Sequence, residues 1–360
     1  KYIKKKKDLN LDGIYIKDFS LKEYRKNLNI EANEYVDLIN FSAKHAFFDC
    51  KYSVDFSYAK FNDNDKYFNN TFFGNGDVSF IYAKFDNGDV YFTDSNFGTG
   101  NVSFTDASFG NGKVFFTDTK LGNGNVFFSY TEFGNGDVSF TDTQFGEGDI
   151  SFRDAKFGIG TVSFADACFG EGDLYFSFAK FDIGDIYFNQ ANFGKGKVDF
   201  SNVNFNNGLV DFTGTVFGEG EDCFNNAFFG NGDVYFTDIN FGEGNIDFSN
   251  VKFGEGKVDF TDSNFGNGNV YFNNVDFNKG DVFFYGDIFG SGNVYFNDAI
   301  LANALFIDCH FNSYTNFNFK KCSYLYLNGS IIRDIIELDN IKGINISGVR
   351  NLGKIYLDWE

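Results

Sequence analysis

The chain has 360 residues, of which 54 are phenylalanine and 41 glycine, while proline and methionine are absent. Its net charge of −20 argues against direct binding to DNA phosphates or anionic lipid, and no segment is long and apolar enough for a transmembrane helix. The five cysteines form no CxxC pair, which predicts neither a disulfide framework nor a zinc site and favours a cytoplasmic location.

Residues 1–38 do not follow the pattern of the rest of the chain. Ser20 and Glu23 stand at the spacing of a helix capping box, just ahead of Tyr24 and Leu28. A stack of repeats exposes open backbone groups at its end and needs a cover there. We therefore predict that residues 1–38 form a small irregular N-terminal cap that contains a short helix.

From residue 39 to residue 319 the chain repeats a unit of twelve residues. The copy Asn101–Gly112 reads NVSFTDASFGNG, and the next copy, Lys113–Gly124, reads KVFFTDTKLGNG. Apolar residues stand two apart within a unit, as do Val102 and Phe104, which is the periodicity of a β-strand. A fixed short period over most of a chain indicates a solenoid, in which each coil contacts only its neighbours.

The large residues of the repeat are alternately five and seven positions apart, as Phe104, Phe109 and Phe116 show. Most of the seven-residue steps carry a Gly-x-Gly sequence such as Gly110-Asn-Gly112. Because these glycines recur throughout the repeat and open no helix, they indicate corner turns rather than a phosphate-binding loop.

Val102-Ser-Phe104-Thr-Asp106 and Ala107-Ser-Phe109-Gly-Asn111 each have a small residue, a large residue two positions later and then a polar pair. This pattern resembles that of pentapeptide-repeat proteins, with every second pentapeptide lengthened by two residues. The resemblance covers about residues 39–319. It implies an all-β fold, a right-handed quadrilateral β-helix with one pentapeptide per side and about 24 residues per coil.

The volume of the apolar side chains favours the same cross-section. A twelve-residue coil is too narrow to enclose a valine and two phenylalanines, whereas a coil of two units encloses four rings that stack at the strand spacing of about 4.8 Å. A triangular coil of three units also fits the arithmetic and is the alternative. Asp287 replaces the small residue of the unit and Asp222 replaces its valine. Because a buried unpaired carboxylate is unfavourable, we interpret both as local distortions that turn the side chain outward.

Residues 320–360 change in composition, since phenylalanine gives way to leucine and isoleucine, as at Leu325, Leu327 and Ile336. Strand-like alternation persists. We predict that this zone forms further, irregular C-terminal coils.

The most prominent candidate site is an acidic ladder. The residue two positions after the first phenylalanine of the unit is often aspartate, and coils of two units would align these side chains. One column would contain Asp94, Asp118, Asp142 and Asp166, and the opposite column Asp106 and Asp154 with Tyr130 between them. Asp and Asn interchange at this position, which favours carboxylates that accept hydrogen bonds from corner N–H groups. The alternative is an acidic surface that binds a partner.

Catalytic, metal and cofactor sites find little support. His45 and His310 lie far apart in the sequence, and no Ser/His/Asp or Cys/His grouping recurs, so we predict that the chain is not an enzyme and binds no cofactor. Gly-Asn-Gly-Asp turns are similar to those of calcium-binding β-rolls. The acidic position of those turns is filled in other copies by Lys113, Lys197, Lys257 and Leu209, which argues against a metal.

Outward aromatic residues should form neighbouring pairs, for example Tyr91 with Phe115 and Tyr271 with Tyr295. Such pairs usually stabilise adjacent strands, although exposed rings also bind sugars or proteins.

These observations favour a non-catalytic solenoid that acts as a scaffold for an unidentified protein partner. The resemblance to pentapeptide-repeat proteins of the quinolone-resistance type implies an alternative, an acidic DNA mimic that binds the type II topoisomerase gyrase. A third reading, a surface or glycan-binding solenoid, would require an export signal upstream of Lys1. No direct contact with nucleic acid or membrane is expected.

Overall fold

A computed structural model describes residues 8–50 and 52–357 of the chain. The chain divides into two compact units, Lys1–Gly184 and Asp185–Glu360, and each is a stack of parallel β-coils. The parts of the predicted end zones at residues 1–7 and 358–360 lie outside the described residues.

In the N-terminal unit the helix α1 spans Leu21–Asn27. The strands of this unit are β1 (Asp8–Asn10), β2 (Tyr15–Lys17), β3 (Val36–Ser42), β4 (Phe47–Asp49), β5 (Ser53–Asp55), β6 (Ala59–Phe61), β7 (Lys66–Tyr67), β8 (Asp77–Ser79), β9 (Lys84–Phe85), β10 (Val90–Tyr91), β11 (Val102–Ser103), β12 (Ser108–Phe109), β13 (Val114–Phe115), β14 (Val126–Phe127), β15 (Val138–Ser139), β16 (Ile150–Ser151), β17 (Lys156–Phe157), β18 (Val162–Ser163), β19 (Leu174–Tyr175) and β20 (Lys180–Phe181).

The strands of the C-terminal unit are β21 (Ile186–Tyr187), β22 (Val198–Asp199), β23 (Asn204–Asn206), β24 (Val210–Asp211), β25 (Asp222–Cys223), β26 (Phe228–Phe229), β27 (Val234–Tyr235), β28 (Ile246–Asp247), β29 (Val258–Asp259), β30 (Val270–Tyr271), β31 (Val282–Tyr285), β32 (Ile288–Phe289), β33 (Val294–Tyr295), β34 (Asn303–Ile307), β35 (His310–Phe311), β36 (Thr315–Tyr326), β37 (Ile331–Ile332), β38 (Ile335–Asn345), β39 (Arg350–Asn351) and β40 (Lys354–Leu357).

Each regular turn of the solenoid comprises two sequence units. In the N-terminal unit Val90 pairs in parallel with Val114, and on the opposite side Val102 pairs with Val126. The other two sides pair over the same separation, one through short strands and one through single bridges. The predicted quadrilateral β-helix is therefore confirmed, and coils of one or three sequence units are excluded.

Phenylalanine rings fill the centre of each unit in stacked columns, one on each side of the coil, and the columns that contain Phe92 and Phe104 contact each other. Phe104 stacks on Phe128 with ring centroids 4.9 Å apart and planes inclined by 4°, and Phe92 stacks on Phe116 at 4.7 Å. The two columns meet edge to face, since Phe92 and Phe104 are 5.5 Å apart at 82°. Parallel strands impose the spacing along each column, and the crossed orientation between columns matches the preferred aromatic geometry.

The small inward position accommodates hydroxyl groups as well as alanine. The buried Thr119 hydroxyl donates to the Phe92 carbonyl at 2.8 Å, and that of Thr143 donates to the Phe116 carbonyl at 2.8 Å. Each such bond reaches a carbonyl group 27 residues earlier and thus ties two turns together. A buried hydroxyl with a partner is tolerated in the core, which explains why Ala, Ser and Thr interchange at this position.

The Gly-x-Gly corners are shaped by close stacking of backbone on backbone. Gly98 has a φ of +74°, and a Cβ atom there would overlap the carbonyl oxygen of Gly74 in the previous turn. Only glycine fits such a position, both for its left-handed conformation and for the close approach. In the N-terminal unit, one column of widened corners therefore has glycine at this place in successive turns, as at Gly74, Gly98 and Gly122, whereas the opposite column also accommodates Asp86 and Asp182.

Asp222 and Asp287 point into the core, so the interpretation that they turn outward is wrong. Asp222 is 1% exposed, and neither of its carboxyl oxygens has a hydrogen-bond partner among the described residues. Asp287 is fully buried, and its Oδ1 accepts a hydrogen bond from the Ser263 N–H at 2.8 Å. The regular inter-turn bond from the Asp222 N–H to the Asn245 carbonyl, at 2.9 Å, keeps the strand in place and directs the side chain inward.

Burial changes the protonation of both side chains. Burial raises the pKa of Asp222 well above its usual range, and it raises the pKa of Asp287 to about 9. The coil is not distorted at either residue, and burial favours the protonated, neutral form of both carboxyl groups.

The turns shorten towards the end of the C-terminal unit. Phe284 pairs with Phe306, whereas the later pairs are Thr315 with Ile336 and then Ile336 with Ile355. The separation falls from 24 to 19 residues as the Gly-x-Gly corners cease after residue 292. The irregular C-terminal coils expected from the sequence are thus parallel turns without the widened corners.

The predicted short helix is α1, which packs on the coil that contains Asp55. The Ser20 hydroxyl accepts a hydrogen bond from the Glu23 N–H at 3.2 Å, as a capping residue does, and also contacts the Asp55 carboxylate at 3.2 Å. The Arg25 guanidinium donates to the carbonyl of Ser57 at 2.7 Å. These contacts fix the helix on one coil of the N-terminal unit.

Candidate functional site

The six aspartates of the acidic ladder occupy the narrow corners of the N-terminal unit. The backbone N–H of Asp94 donates to the Thr117 carbonyl at 3.1 Å, and that of Asp118 donates to the Thr141 carbonyl at 3.1 Å. Successive aspartates therefore lie one turn apart, at the strand spacing of about 4.8 Å. The columns expected from the sequence are present in the structure.

The backbone at these corners explains why Asp and Asn interchange. Asp94, Asp118 and Asp142 have φ values of 55° to 58°, in the left-handed region. Aspartate and asparagine tolerate this region better than other residues with a side chain. In the part of the chain that the structure describes, no corner N–H donates to these carboxylates, so the expected hydrogen bonds are absent and backbone conformation takes their place.

The carboxylates of the Asp94 column are free to interact with solvent or with a partner. All four aspartates of this column, Asp94, Asp118, Asp142 and Asp166, are exposed. Within residues 8–50 and 52–184, no lysine or arginine forms an ion pair with them. Like charges stacked one turn apart repel each other, so this column is an uncompensated line of negative charge.

The opposite column is less uniformly acidic. Tyr58 stacks on Tyr82 with ring centroids 4.9 Å apart, and Asp106 follows one turn later. The nearby Asp106 charge raises the pKa of Tyr82. Asp154 is half-buried, and Tyr130, which lies between the two aspartates, is 55% exposed. This column is therefore mixed aromatic and acidic.

The hydrogen-bonding role expected for the ladder belongs instead to the residues that follow Gly-x-Gly. Asp77 accepts a hydrogen bond from the Asn101 N–H at 2.9 Å, and Asn101 in turn accepts from the Asn125 N–H at 2.9 Å. Each side chain bridges to the backbone one turn later. The sequence signal for this role is the alternation of Asp and Asn directly after the second glycine.

Outward aromatic residues form the expected pairs. Tyr91 and Phe115 stack with centroids 5.2 Å apart, and Tyr271 and Tyr295 stack at 5.4 Å. Each pair covers one face of each ring, and such contacts stabilise adjacent strands.

Lys66 is a departure from the repeat that was not predicted to have a role: it occupies a valine position and is fully buried. Its Nζ donates to the carbonyl groups of Phe85 and Asp86, each at 3.2 Å, and of Asn87. Burial lowers the pKa of Lys66 to about 8. The ammonium group thus binds the carbonyl groups of one widened corner, which is a structural role. Its only signal in the sequence is a lysine at a position that is usually valine.

Within the described residues, no group of three or more His, Cys, Asp or Glu side chains is arranged to hold a metal ion. In the same residues no helix has the length and apolar character needed to span a membrane.

Neither a protein-family model nor a curated protein matches the chain. Among solved structures, the chain is similar to HetL, a pentapeptide-repeat protein involved in the regulation of heterocyst differentiation in the cyanobacterium Nostoc sp. strain PCC 7120. The sequences are 13% identical, the match covers 82% of this chain and 92% of HetL, and the TM-score is 0.20. A likeness at this level carries no argument about function.

Proposed function

We propose that the chain is a non-catalytic solenoid scaffold whose acidic column binds a positively charged protein partner. The observation that carries this proposal is the exposed, unpaired line of Asp94, Asp118, Asp142 and Asp166. Regular turns hold these carboxylates at a fixed spacing, which gives a basic partner a preformed surface. Preorganised charge of this kind accelerates encounter and selects partners of opposite charge.

Backbone conformation alone does not account for aspartate at these positions. Asparagine adopts the same left-handed conformation at equivalent corners of the C-terminal unit, with φ of 57° at Asn202 and 60° at Asn250. Asparagine would remove the repulsion between stacked carboxylates, which is worth about 0.2–1 kcal/mol per pair. The presence of four charges in one column therefore supports a role outside the fold.

We also infer that the chain is a variant of the pentapeptide-repeat type. Its regular turns have four sides, and the sequence alternates steps of five and seven residues between large side chains. The two extra residues form the Gly-x-Gly corners, and turns without such corners are shorter, as in the last part of the C-terminal unit.

Neutralising the acidic column should weaken partner binding without harming the fold. We expect a variant with Asp94, Asp118, Asp142 and Asp166 all replaced by asparagine to bind its partner at least about tenfold more weakly. The measurement is quantitative mass spectrometry of proteins retained from source-cell extract by the tagged full chain, wild type against variant. Thermal melting followed by circular dichroism should show equal or higher stability, because asparagine suits the corner conformation.

The matched control removes the same number of charges elsewhere. Replacing Glu219, Glu221, Glu243 and Glu255 by glutamine neutralises four exposed residues of the C-terminal unit. At each salt concentration this control variant should retain as much of the partner as the wild-type chain does. Equal loss in both variants would show a non-specific charge effect and would contradict the proposal.

The second candidate, a DNA mimic that acts on a type II topoisomerase, rests on the same column. Its carboxylates repeat every turn, at about 4.8 Å, on the scale of the phosphate charges along one DNA strand, about 3.4 Å apart. Both columns of the N-terminal unit present negative charge on opposite sides of the coil, as the two strands of a duplex do.

Inhibition of gyrase supercoiling tests this second candidate directly. The wild-type chain should inhibit the reaction at about 50 mM salt and lose most of that effect at about 200 mM, because exposed charges are screened. The four-asparagine variant should not inhibit at either concentration. Absence of inhibition by the wild-type chain would exclude the mimic and leave the scaffold proposal intact.

A further inference from the structure

One side of the C-terminal unit carries a column in which aromatic and acidic residues alternate. The parallel register pairs each residue of the column with the next, one turn later. In order along the chain, the column consists of Tyr187, Asp211, Tyr235, Asp259 and Phe283. Two niches result, each with a carboxylate as its floor and two rings, two turns apart, as its walls.

The second niche is filled by a lysine of the chain. Lys257 Nζ lies 2.6 Å from Asp259 Oδ2, 5.4 Å from the centre of the Tyr235 ring and 5.0 Å from that of Phe283. The ammonium group therefore combines an ion pair with contacts to two ring faces. Asp259 is only 8% exposed beneath it.

The first niche has the same construction. Asp211 Oδ1 accepts a hydrogen bond from the Thr213 N–H at 2.8 Å, as Asp259 Oδ1 does from the Thr261 N–H at 3.1 Å. In both niches Oδ1 is thus committed to the backbone, which leaves Oδ2 for a cation, as Asp259 Oδ2 binds Lys257 in the second niche. The floor carboxylate is presented in the same way in each case.

The two niches differ in the residue that supplies the cation. The position of Lys257 is taken by Leu209 two turns earlier, and the backbone environment is the same. The Leu209 N–H donates to Asp185 Oδ1 at 3.0 Å, and the Lys257 N–H donates to Asp233 Oδ1 at 2.8 Å. Within the described residues no cation contacts Asp211, which is half-buried rather than covered.

Charge around the first niche favours a cation. Asp185 and Asp233 stand at the corner beside it, and the Tyr235 hydroxyl donates to Asp233 Oδ2 at 3.4 Å. Burial and the charges of Asp185 and Asp211 raise the pKa of Tyr187. The niche thus has two ring walls and three nearby carboxylates without a positive side chain of its own.

We propose that the niche formed by Tyr187, Asp211 and Tyr235 binds the ammonium group of a lysine side chain presented by a partner protein. Lys257 in the neighbouring niche shows that this arrangement of rings and carboxylate holds a primary ammonium group. The niche belongs to the C-terminal unit and does not depend on the acidic column of the N-terminal unit, although both suit a lysine-bearing partner.

Two reciprocal substitutions test the proposal in the full chain. Leu209→Lys supplies the first niche with a lysine of the chain and should close it, whereas Lys257→Leu empties the second niche and should open it. The probe is lysine blocked as its N-acetyl N-methylamide, with the corresponding norleucine compound as the uncharged control. The Thr213 and Thr261 amide signals of threonine-labelled protein report on the first and second niche, respectively, by NMR.

In wild-type protein the lysine probe should shift the Thr213 signal saturably and leave Thr261 unchanged. Lys257→Leu should make both signals respond, and Leu209→Lys should weaken the Thr213 response at least about tenfold, as should Asp211→Asn. An unresponsive Thr213 in wild type, an unchanged response in Leu209→Lys or an equal response to norleucine would each overturn the proposal. In the four-asparagine variant of the N-terminal unit lysine binding should persist, so failure of the acidic column and failure of the niche are distinguishable.

Discussion

The Asp222→Val variant will be more stable than the wild-type chain, by about 3–5 kcal/mol in the free energy of unfolding of the C-terminal unit at pH 7. Asp222 stands in a column of apolar residues between Val198 and Ile246, and both of its carboxyl oxygens lack a partner among the described residues. Valine matches that column, removes the unsatisfied oxygens and adds apolar contact. The wild-type chain has to keep a proton on this side chain or expose it, and the variant does neither.

Urea unfolding followed by far-UV circular dichroism measures the overall effect. Because repeats of a solenoid open locally, hydrogen exchange at the Phe224 amide, which donates to the Asp247 carbonyl at 2.8 Å, reports on the affected turn. A variant no more stable than wild type by either measure would show that the carboxyl group is satisfied in a way the structure does not contain.

Two further substitutions separate polarity from charge. Asp222→Asn retains a polar side chain and removes only the ionisation, so it should recover a part of the gain. Val198→Asp places the same carboxyl group one turn earlier in the column and should destabilise that turn by an amount similar to the gain from Asp222→Val.

The stability of the C-terminal unit will fall as the pH rises from about 4 to about 9, and Asp287→Asn will remove that part of the dependence. The pKa of Asp287 is raised from 3.8 to about 9, chiefly by burial. Below pH 4 the carboxyl group is protonated in both the folded and the unfolded chain, so the native state is not penalised. Between the two pKa values only the unfolded chain releases the proton, which favours unfolding, and above about 9 the effect levels off.

At pH 7 the difference between Asp287→Asn and wild type should be about 4 kcal/mol, from about 1.4 kcal/mol per pH unit of separation. The asparagine oxygen can still accept the hydrogen bond from the Ser263 N–H. Urea titrations of both proteins at a series of pH values give the difference, in which the titration of the other groups largely cancels. A difference that stays constant from pH 5 to pH 9 would contradict the assignment of a buried, protonated Asp287.

Asp287→Ser provides an independent check. One turn earlier, the Ser263 hydroxyl donates to the Phe236 carbonyl at 2.5 Å and accepts from the Ile239 N–H at 3.1 Å. A serine at position 287 should make the equivalent bonds to Phe260 and Ser263, and its stability should likewise be independent of pH over this range.

The regular part of the fold could be predicted from the sequence because the repeat leaves few choices. Alternation of apolar residues fixes which side chains of a unit face inward, and the volume of two phenylalanines per unit rules out the smallest coil. Once a turn of two sequence units is inferred, the columns on its surface follow by counting. The ladder of Asp94 and Asp118 and the pair of Tyr91 and Phe115 were found in this way.

Single departures from the repeat could not be predicted as well, since a pattern does not say how an exception is accommodated. Asp222 and Asp287 were expected to distort the coil, but the inter-turn hydrogen bonds are numerous enough to hold the backbone, and protonation is the less unfavourable response. Lys66 reaches the carbonyls of the next widened corner because its chain is long, which depends on geometry that the sequence does not contain.

The roles of the acidic residues also required coordinates. Aspartates at the narrow corners and aspartates after Gly-x-Gly look alike in the sequence, yet only the second group accepts backbone hydrogen bonds within the described residues. The first group is selected by a left-handed backbone, as at Asp94 with a φ of 58°. The niche at Asp211 became visible only when the position of Lys257 could be compared with that of Leu209.

The match between one turn and two sequence units limits how this chain can change in length. In the N-terminal unit, gain or loss of two sequence units together would keep every surface column in line, since each residue still meets its counterpart. Gain or loss of a single unit would preserve the phenylalanine core but join the Asp94 column to the Asp106 column. A duplication of one sequence unit would therefore rearrange the surface columns with almost no change to the phenylalanine core. Such genes thus have a simple route to new recognition surfaces.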